Sequence, residues 1–562
     1  MEACQTDSGA EFLTVAIYLD EAVPGNQNRP DRGRASQCLY WTIADYPAWF
    51  ISRAAGWAPF AYVLLVEQKA AGVSDSLLVT MMAKAFTNEL GSELDCDFAI
   101  VVGRCTFKFK MKMQVADWPQ HSKTFNLKGH QGSLCCCWCS NCLGHCPEFD
   151  DDPMLVHYKS TQYHRFIPHT PESIMALVQN LEHTALHAPR QLKKLQQSTG
   201  FTYNPQGVLW DPEVMPKLIL PYAAYTDWMH TFVASGGVAQ FHMNQFVLVL
   251  EDHDIPAHVI DEWFLSAKVP HGFTQLKKTF FKDRVINKRG AHIRAFAGEM
   301  LTAIGLMHMF LQVVVVPLKI ASLQDHIDCF TLLSCIISIL LAADYNTIAD
   351  LREATHTYHV LLKRLYPDIC KPKVHAMQHV CDSLEFWRVL FNCFAPERKH
   401  KIMKSVMKFA YRKAPKTALA YAVRAWLAAL SSEHAFAAAH SVGESFTVQP
   451  MQILLPPHGV ATIFEWCPKL QLACGMICTG ELLKYKTTHN YSGLGFAVGF
   501  AKLQVSSGCL FVAVIKVCEV VPEPINHVKH WRETGQYGML TSGQIQGCVV
   551  WADFGQSFVP GL

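Results

Sequence analysis

A change of hydrophobic period near residue 172 limits the architectures open to this 562-residue chain. Before it, apolar residues fall in short runs of strand length. FLTVAIYL (12–19) stops at Asp20, CLYWTI (38–43) and AYVLLVE (61–67) follow, and a strand-like stretch over 98–116 stops at Asp117. Ser74-Asp75 has the chemistry of a helix N-cap, and Leu77, Leu78, Met81, Met82 and Phe86 continue with helical spacing towards Leu90. After residue 172 the period is helical, in runs at 172–197, 256–267, 292–316, 327–343 and 347–365. RVLFNCF (388–394) reads as a strand or short turn, and Pro396 suits the first turn of a helix over 396–412. From about 445 the pattern is again β-rich. The expected fold class is α/β: a mixed-sheet core (1–125), an all-α insertion introduced by a Cys-rich knuckle (126–370), a closing part with a basic helix (371–440) and a small β-rich domain (445–562).

Composition narrows the function classes. Half of the residues are hydrophobic and 17% are charged, which describes an ordered globular chain. The net charge of +2 gives no global field for nucleic acid, but the basic residues cluster. Lys108, Lys110 and Lys112 alternate with apolar residues; Lys277 and Lys278 open a basic stretch to 294; Arg398, Lys399, Lys401 and Lys404 belong to a run to 413 without an acid. Any one such run is more often a solvated face, but patches of this kind also bind phosphates by releasing counterions. No secretory signal opens the chain, so its 21 cysteines, six of them between Cys135 and Cys146, suggest reduced thiols and a metal site. Residues 300–318 carry no charge and approach spanning length, but His308, Gln312 and Pro317 fit a buried helix better, and no membrane association is expected.

Two groups of residues have metal chemistry. Two-metal phosphoryl transfer needs carboxylates fixed at neighbouring strand ends, with another on an adjacent helix, and Asp20 and Asp117 have the strand-end positions. Cys136 and Cys139 form a Cys-x-x-Cys knuckle, while His375 and His379 share a helix face, so the four can complete one tetrahedral zinc site. Cys136 follows Asp117 by 19 positions and Glu397 follows His379 by 18, so such a site would clamp the two ends of the insertion. A local knuckle from Cys135, Cys137, Cys142, Cys146, His130 and His145 is the competing arrangement.

YLDEAVPGN, the Tyr-Trp pair of CLYWTI, and VADWPQHSKTFNLKGHQGSLCCCWCSN together resemble the catalytic region of CACTA-type DDE transposases over about residues 12–415. The resemblance implies an RNase H-like core with Asp20 and Asp117 as the first two acids, holding two Mg²⁺ or Mn²⁺ ions. The third acid is then Glu397 in FAPERKHKIMK, with Glu299 in AFAGEMLTAIG as competitor. The related V(D)J-type recombinases have a similar Cys-x-x-Cys and His pair, implying one structural Zn²⁺. Asp227-x-x-His230 matches a motif of many DDE transposases, without an assignable role from sequence. The implied protein is nuclear and homo-oligomeric and acts on DNA at transposon ends and targets. A domesticated DNA-binding protein without catalysis, and a zinc-stabilised helical protein with membrane association, are the alternatives. The C-terminal β-rich region lies outside the resemblance.

Overall fold

The computed structural model describes residues 12–26, 29–144, 153–407 (apart from positions 219, 272, 343 and 344), 414–431 and most of 440–560. The chain divides into two compact units. The first is Met1–Phe232 with Tyr345–Arg352 and Cys370–Ser432; the second is Val233–Asp344 with Glu353–Ile369 and Glu433–Leu562. The Cys-rich knuckle therefore belongs to the unit that holds the first strands.

The first unit is built on a mixed sheet of β1 (Leu13–Ala22), β2 (Ser36–Ile43), β3 (Ala58–Leu64), β4 (Phe98–Val102), β5 (Cys105–Ala116) and β6 (Ala224–Thr226). The strand order is β6-β5-β1-β2-β3, with β4 paired to β5. β1 pairs antiparallel with β2 and β2 with β3, whereas β5 runs parallel to β1 and β6 parallel to β5. Parallel pairing requires a crossover, which the helix Asp75–Ala85 provides before β5. Strand alternation sends Val15, Ile17 and Leu19 into the apolar cluster that holds Val79, Met82 and Phe125. Each such burial contributes about 1.5–3 kcal/mol. The same alternation turns Tyr18 and Asp20 to the opposite face.

Local chemistry explains where elements differ from expectation. The 98–116 stretch is a hairpin, not one strand, because Gly103 (φ +61°) turns the chain between β4 and β5. AYVLLVE divides after Leu64, and Leu65–Ala70 is helical; a short apolar run suits either state. Residues 388–393 form no strand, since Arg388 (φ 55°) ends one helix and the next begins at Phe394. The helices that close this unit are α1 (Trp118–Thr124), α2 (Pro372–Trp387), α3 (Phe394–Met407) and α4 (Ala414–Leu430). Proline stands in the first turn of α1 and of α2, where its missing N–H removes no hydrogen bond.

The second unit contains the helices Val238–Glu251, Ala257–Ser266, Ala297–Phe310 and Gln324–Ala342. It also holds an antiparallel sheet in which Phe446–Leu455, Gly459–Cys467, Ser492–Val505, Gly508–Val520 and Trp531–Thr541 pair in succession. Ala297–Leu318 and Ala321–Ala342 are long and apolar enough to cross a membrane, and about half of each is buried within the protein (50% and 44%).

Candidate functional site

Register brings the first two acids together. Tyr18 of β1 lies opposite Val115 of β5, so Asp20, two residues before the end of β1, and Asp117, directly after β5, stand at the same level of neighbouring parallel strands. β6 extends the series, because Thr226 lies opposite Ala116 and Asp227 follows it. Asp20 accepts hydrogen bonds from the Tyr18 hydroxyl (3.1 Å) and the Glu21 N–H (2.7 Å). Asp117 caps α1 by accepting from the Gln120 N–H at 2.7 Å. Glu397 stands in the first turn of α3, which packs against β1, and one turn later His400 Nδ1 lies 3.8 Å from Asp20 Oδ2. Burial, the charge of Asp117 and then that of Glu397 push the Asp20 carboxyl up to about 7, against the opposing pull of His230. The three acids therefore share one electrostatic environment. Asp20 and Glu397 remain 30% and 39% exposed at the side chain, so the cluster is open to a ligand. They do not form, with Asp117, a set of ligand atoms all within 4.8 Å among the described residues. A pair of ions roughly 3.5–4 Å apart calls for a wider spread of carboxylates than one ion does.

Asp227 and His230 lie beside this cluster. His230 Nδ1 is 2.7 Å from Asp227 Oδ2, and His230 Nε2 is 3.1 Å from Glu397 Oε1. Burial opposes a charge on this ring, but the hydrogen bonds to Asp227 and Glu397 outweigh it and raise His230 to about 10. Lys373 of α2 donates to the His230 carbonyl at 2.8 Å. His400, buried against the rings of Tyr18 and Tyr40, is pushed down to about 3, first by burial and then by Lys404. It contributes a neutral wall to the Asp20 side of the cluster.

A second centre is closed where the acid cluster is open. Cys136, Cys139, His375 and His379 are all buried, and their ligand atoms all lie within 4.8 Å of one another. His379 Nε2 is 3.3 Å from Cys136 Sγ, 3.5 Å from Cys139 Sγ and 3.1 Å from His375 Nε2. A tetrahedral zinc with ordinary bond lengths separates sulfur from nitrogen by about 3.5 Å and nitrogen from nitrogen by about 3.3 Å. The set can thus hold a metal such as zinc. Its surroundings have the same character: His379 Nδ1 meets Asp382 Oδ2 at 2.9 Å, and Asp382 Oδ1 meets Arg352 Nη1 at 2.9 Å. A carboxylate on the far nitrogen fixes the imidazole tautomer and ring orientation for a metal on the near one. Trp138 stacks on His379 at 5.4 Å and shuts out water.

Among the competing local ligands, His130 is exposed, Cys135 and Cys142 approach each other to 3.7 Å, and His145 and Cys146 lie outside the described residues. Glu299 belongs to the second unit, where Arg284 grips both its oxygens at 2.8 and 2.9 Å and the Phe296 N–H donates to it at 2.9 Å. A carboxylate so engaged is a structural helix cap, not a free metal ligand. Lys108, Lys110 and Lys112 share a strand face, but they precede Asp117 along β5 by roughly 17–30 Å at 3.3 Å per residue. Lys110 reaches Asp95 at 3.6 Å. Lys277 and Lys278 are exposed in the second unit. On α3, Arg398 and Lys401 are exposed and Lys404 is half-buried; Arg398 donates to the Ser52 carbonyl at 2.9 Å. Lys399 is buried, its ammonium 5.9 Å above the Tyr40 ring, so the expected row of outward cations on this helix is interrupted there. No family model matches the chain, and no curated protein does.

Sequence reasoning had no role for Lys373, Asp382, Arg352 or His400. Asp382 follows His379 by three positions, which puts it on the same helix face and was the available signal. Arg352 and His400 have no such local signature.

Proposed function

We propose that this chain is the catalytic region of a DNA transposase with an RNase H-like core, cleaving and joining DNA strands at transposon ends. The observation that carries the reading is that Asp20, near the carboxyl end of β1, and Asp117, just past the end of the parallel β5, stand side by side, with Glu397 close enough on α3 for its charge to act on Asp20. The strand order supports it: three antiparallel strands followed by two that run parallel to the first. Asp20, Asp117 and Glu397 would hold two Mg²⁺ or Mn²⁺ ions. When bound, such ions activate a water or 3′-hydroxyl and stabilise the leaving oxygen.

The protein's own part is to fix the acids and to hold the nucleic acid. Tyr18 and the Glu21 N–H orient the Asp20 carboxylate, and the α1 cap orients Asp117. The exposed Arg398 and Lys401 follow Glu397 on α3 and would meet phosphates, which positions a strand without reading its bases. The zinc set would tie the knuckle to α2 as a structural centre. On this reading the protein works in the nucleus as a homo-oligomer.

The test is nicking and joining of DNA that carries the element's terminal repeats, in Mg²⁺ or Mn²⁺. Asp20→Asn and Asp117→Asn should abolish cleavage with DNA affinity near normal. Cleavage by either variant at the wild-type rate would remove the enzymatic reading. Binding without cleavage by the wild type would point instead to a domesticated DNA-binding protein.

A further inference from the structure

We infer that His230 is a positioning residue, locked by Asp227 and steadied by the helix that carries His375 and His379, that holds Glu397 in place for metal binding. The inference rests on the reading of Asp20, Asp117 and Glu397 as a metal-binding triad.

Glu397 needs such a restraint. Its side chain is long and 39% exposed, and a glutamate gives up much of its rotamer freedom when it is fixed. The contact that restrains it is His230 Nε2, 3.1 Å from Oε1. This engages one carboxylate oxygen and leaves Oε2 for a cation.

His230 is itself held from behind. Asp227 is 3% exposed, and both its oxygens are taken by backbone donors. Oδ1 accepts from the N–H groups of Met229 (3.2 Å) and Cys393 (3.1 Å), and Oδ2 accepts from that of His230 (3.0 Å). A carboxylate pinned this way cannot swing out to join the acids, although it follows them in register. It acts instead as a fixed acceptor for His230 Nδ1–H at 2.7 Å, which directs Nε2–H at Glu397. A carboxylate oxygen stands at each ring nitrogen, so both nitrogens are engaged by side chains. Asp227, His230 and Cys393 have ligand atoms close together, but the geometry makes them an orienting group. Burial, followed by the charges of Asp227 and Glu397, also keeps the Cys393 thiol protonated.

The main chain of His230 is fixed as well. Lys373 Nζ donates to its carbonyl at 2.8 Å from α2, two residues before the zinc-set residue His375. One helix thus supplies half of the closed centre and a support for the open one. Loss of an outer partner of a metal ligand typically weakens metal binding or activity by about 10–100-fold.

The experiment measures Mn²⁺ binding by the full chain, by electron paramagnetic resonance, and Mn²⁺-dependent nicking of supercoiled plasmid DNA. His230→Ala should weaken Mn²⁺ binding at least about tenfold and raise the Mn²⁺ concentration for half-maximal nicking by the same factor. Zinc content and DNA affinity should stay at wild-type levels, showing that the variant is folded. His230→Gln places an amide N–H near the position of Nε2 and should recover most of the lost affinity; a role in packing alone would not follow this donor chemistry. Wild-type Mn²⁺ binding in His230→Ala would overturn the inference, whether or not the protein cuts DNA. So would a His230→Gln variant that folds and fares no better than His230→Ala. Should the wild type bind Mn²⁺ in a His230-dependent way and still cut no DNA, the transposase reading fails while the positioning role stands. Absence of Mn²⁺ binding by the wild type overturns both.

Discussion

Asp382 offers a quantitative check on the closed centre, because its effect on stability should depend on zinc. It touches His379 Nδ1 at 2.9 Å on one side and Arg352 at 2.9 Å on the other. If it works through the metal, Asp382→Ala weakens zinc binding by about 10–100-fold. At saturating zinc, stability follows the logarithm of affinity, so the variant loses about 1.4–2.7 kcal/mol. Spread over a unit of roughly 300 residues, at about 2.1 cal/mol/K per residue, the melting temperature falls by about 2–4 °C. In excess chelator the remaining difference is the hydrogen bond to His379, about 0.5–1.5 kcal/mol, and the ion pair with Arg352. The two side chains are 31% and 41% exposed, and a pair of that kind contributes about 0–1 kcal/mol. Thermal melts with zinc and with chelator, together with zinc titration against a chromophoric chelator, measure both quantities. An equal loss of stability in the two conditions, with unchanged zinc affinity, would refute the assignment of Asp382 to the metal centre.

Three further outcomes are expected. Glu397→Gln should abolish Mn²⁺-dependent nicking while Glu299→Gln leaves its rate unchanged, and a reversal of that pattern would exchange the two acids. Glu299→Gln should nevertheless lower stability by about 1.5–3 kcal/mol in a urea titration, since it loses the charge on a nearly buried pair with Arg284. His242, whose Nδ1 meets the Tyr358 hydroxyl at 3.0 Å, is pushed down to about 3 by burial and then by His326. Its folded value lies below its unfolded one, so its contribution to stability is full above about pH 6.5 and falls by about 1.4 kcal/mol per unit as the pH drops towards 3. His242→Phe should flatten that slope between pH 7.5 and 5, and a variant as acid-sensitive as the wild type would refute the attribution.

The features readable in the sequence were those with a period or a fixed spacing. Asp20 was visible because the continuous buried run Val15–Leu19 leads straight into it, although β1 runs on to Ala22 instead of stopping there. The two halves of the zinc set were visible because two thiols three apart and two imidazoles four apart are local patterns; their union rested on the matching spacings to Asp117 and Glu397 and on the recombinase resemblance, with a local knuckle as the alternative. β6 was not visible: three residues, all buried, present no alternation to detect. The helix Val238–Glu251 was missed for the opposite reason, since Gln240, His242 and Asn244 are buried among its apolar residues and blur the polar face. The break at Pro189 divides the single helical run expected over 172–197 into Pro171–His187 and Pro189–Thr199. Contacts such as His230 with Glu397, set by how α3 returns to the sheet, have no counterpart in any local pattern.

The thiols and imidazoles of the closed centre come from segments far apart in the order of synthesis. His375 follows Cys139 by 236 positions, so a ribosome adding about 5–20 residues per second exposes the knuckle roughly 10–50 s before its partners exist. During that interval Cys136 and Cys139 supply only two of the four ligands of this set. Closure of a metal by this set of four would therefore be a late step of biogenesis, and a translation product ending before α2 would leave the ribosome without His375 and His379 to complete it.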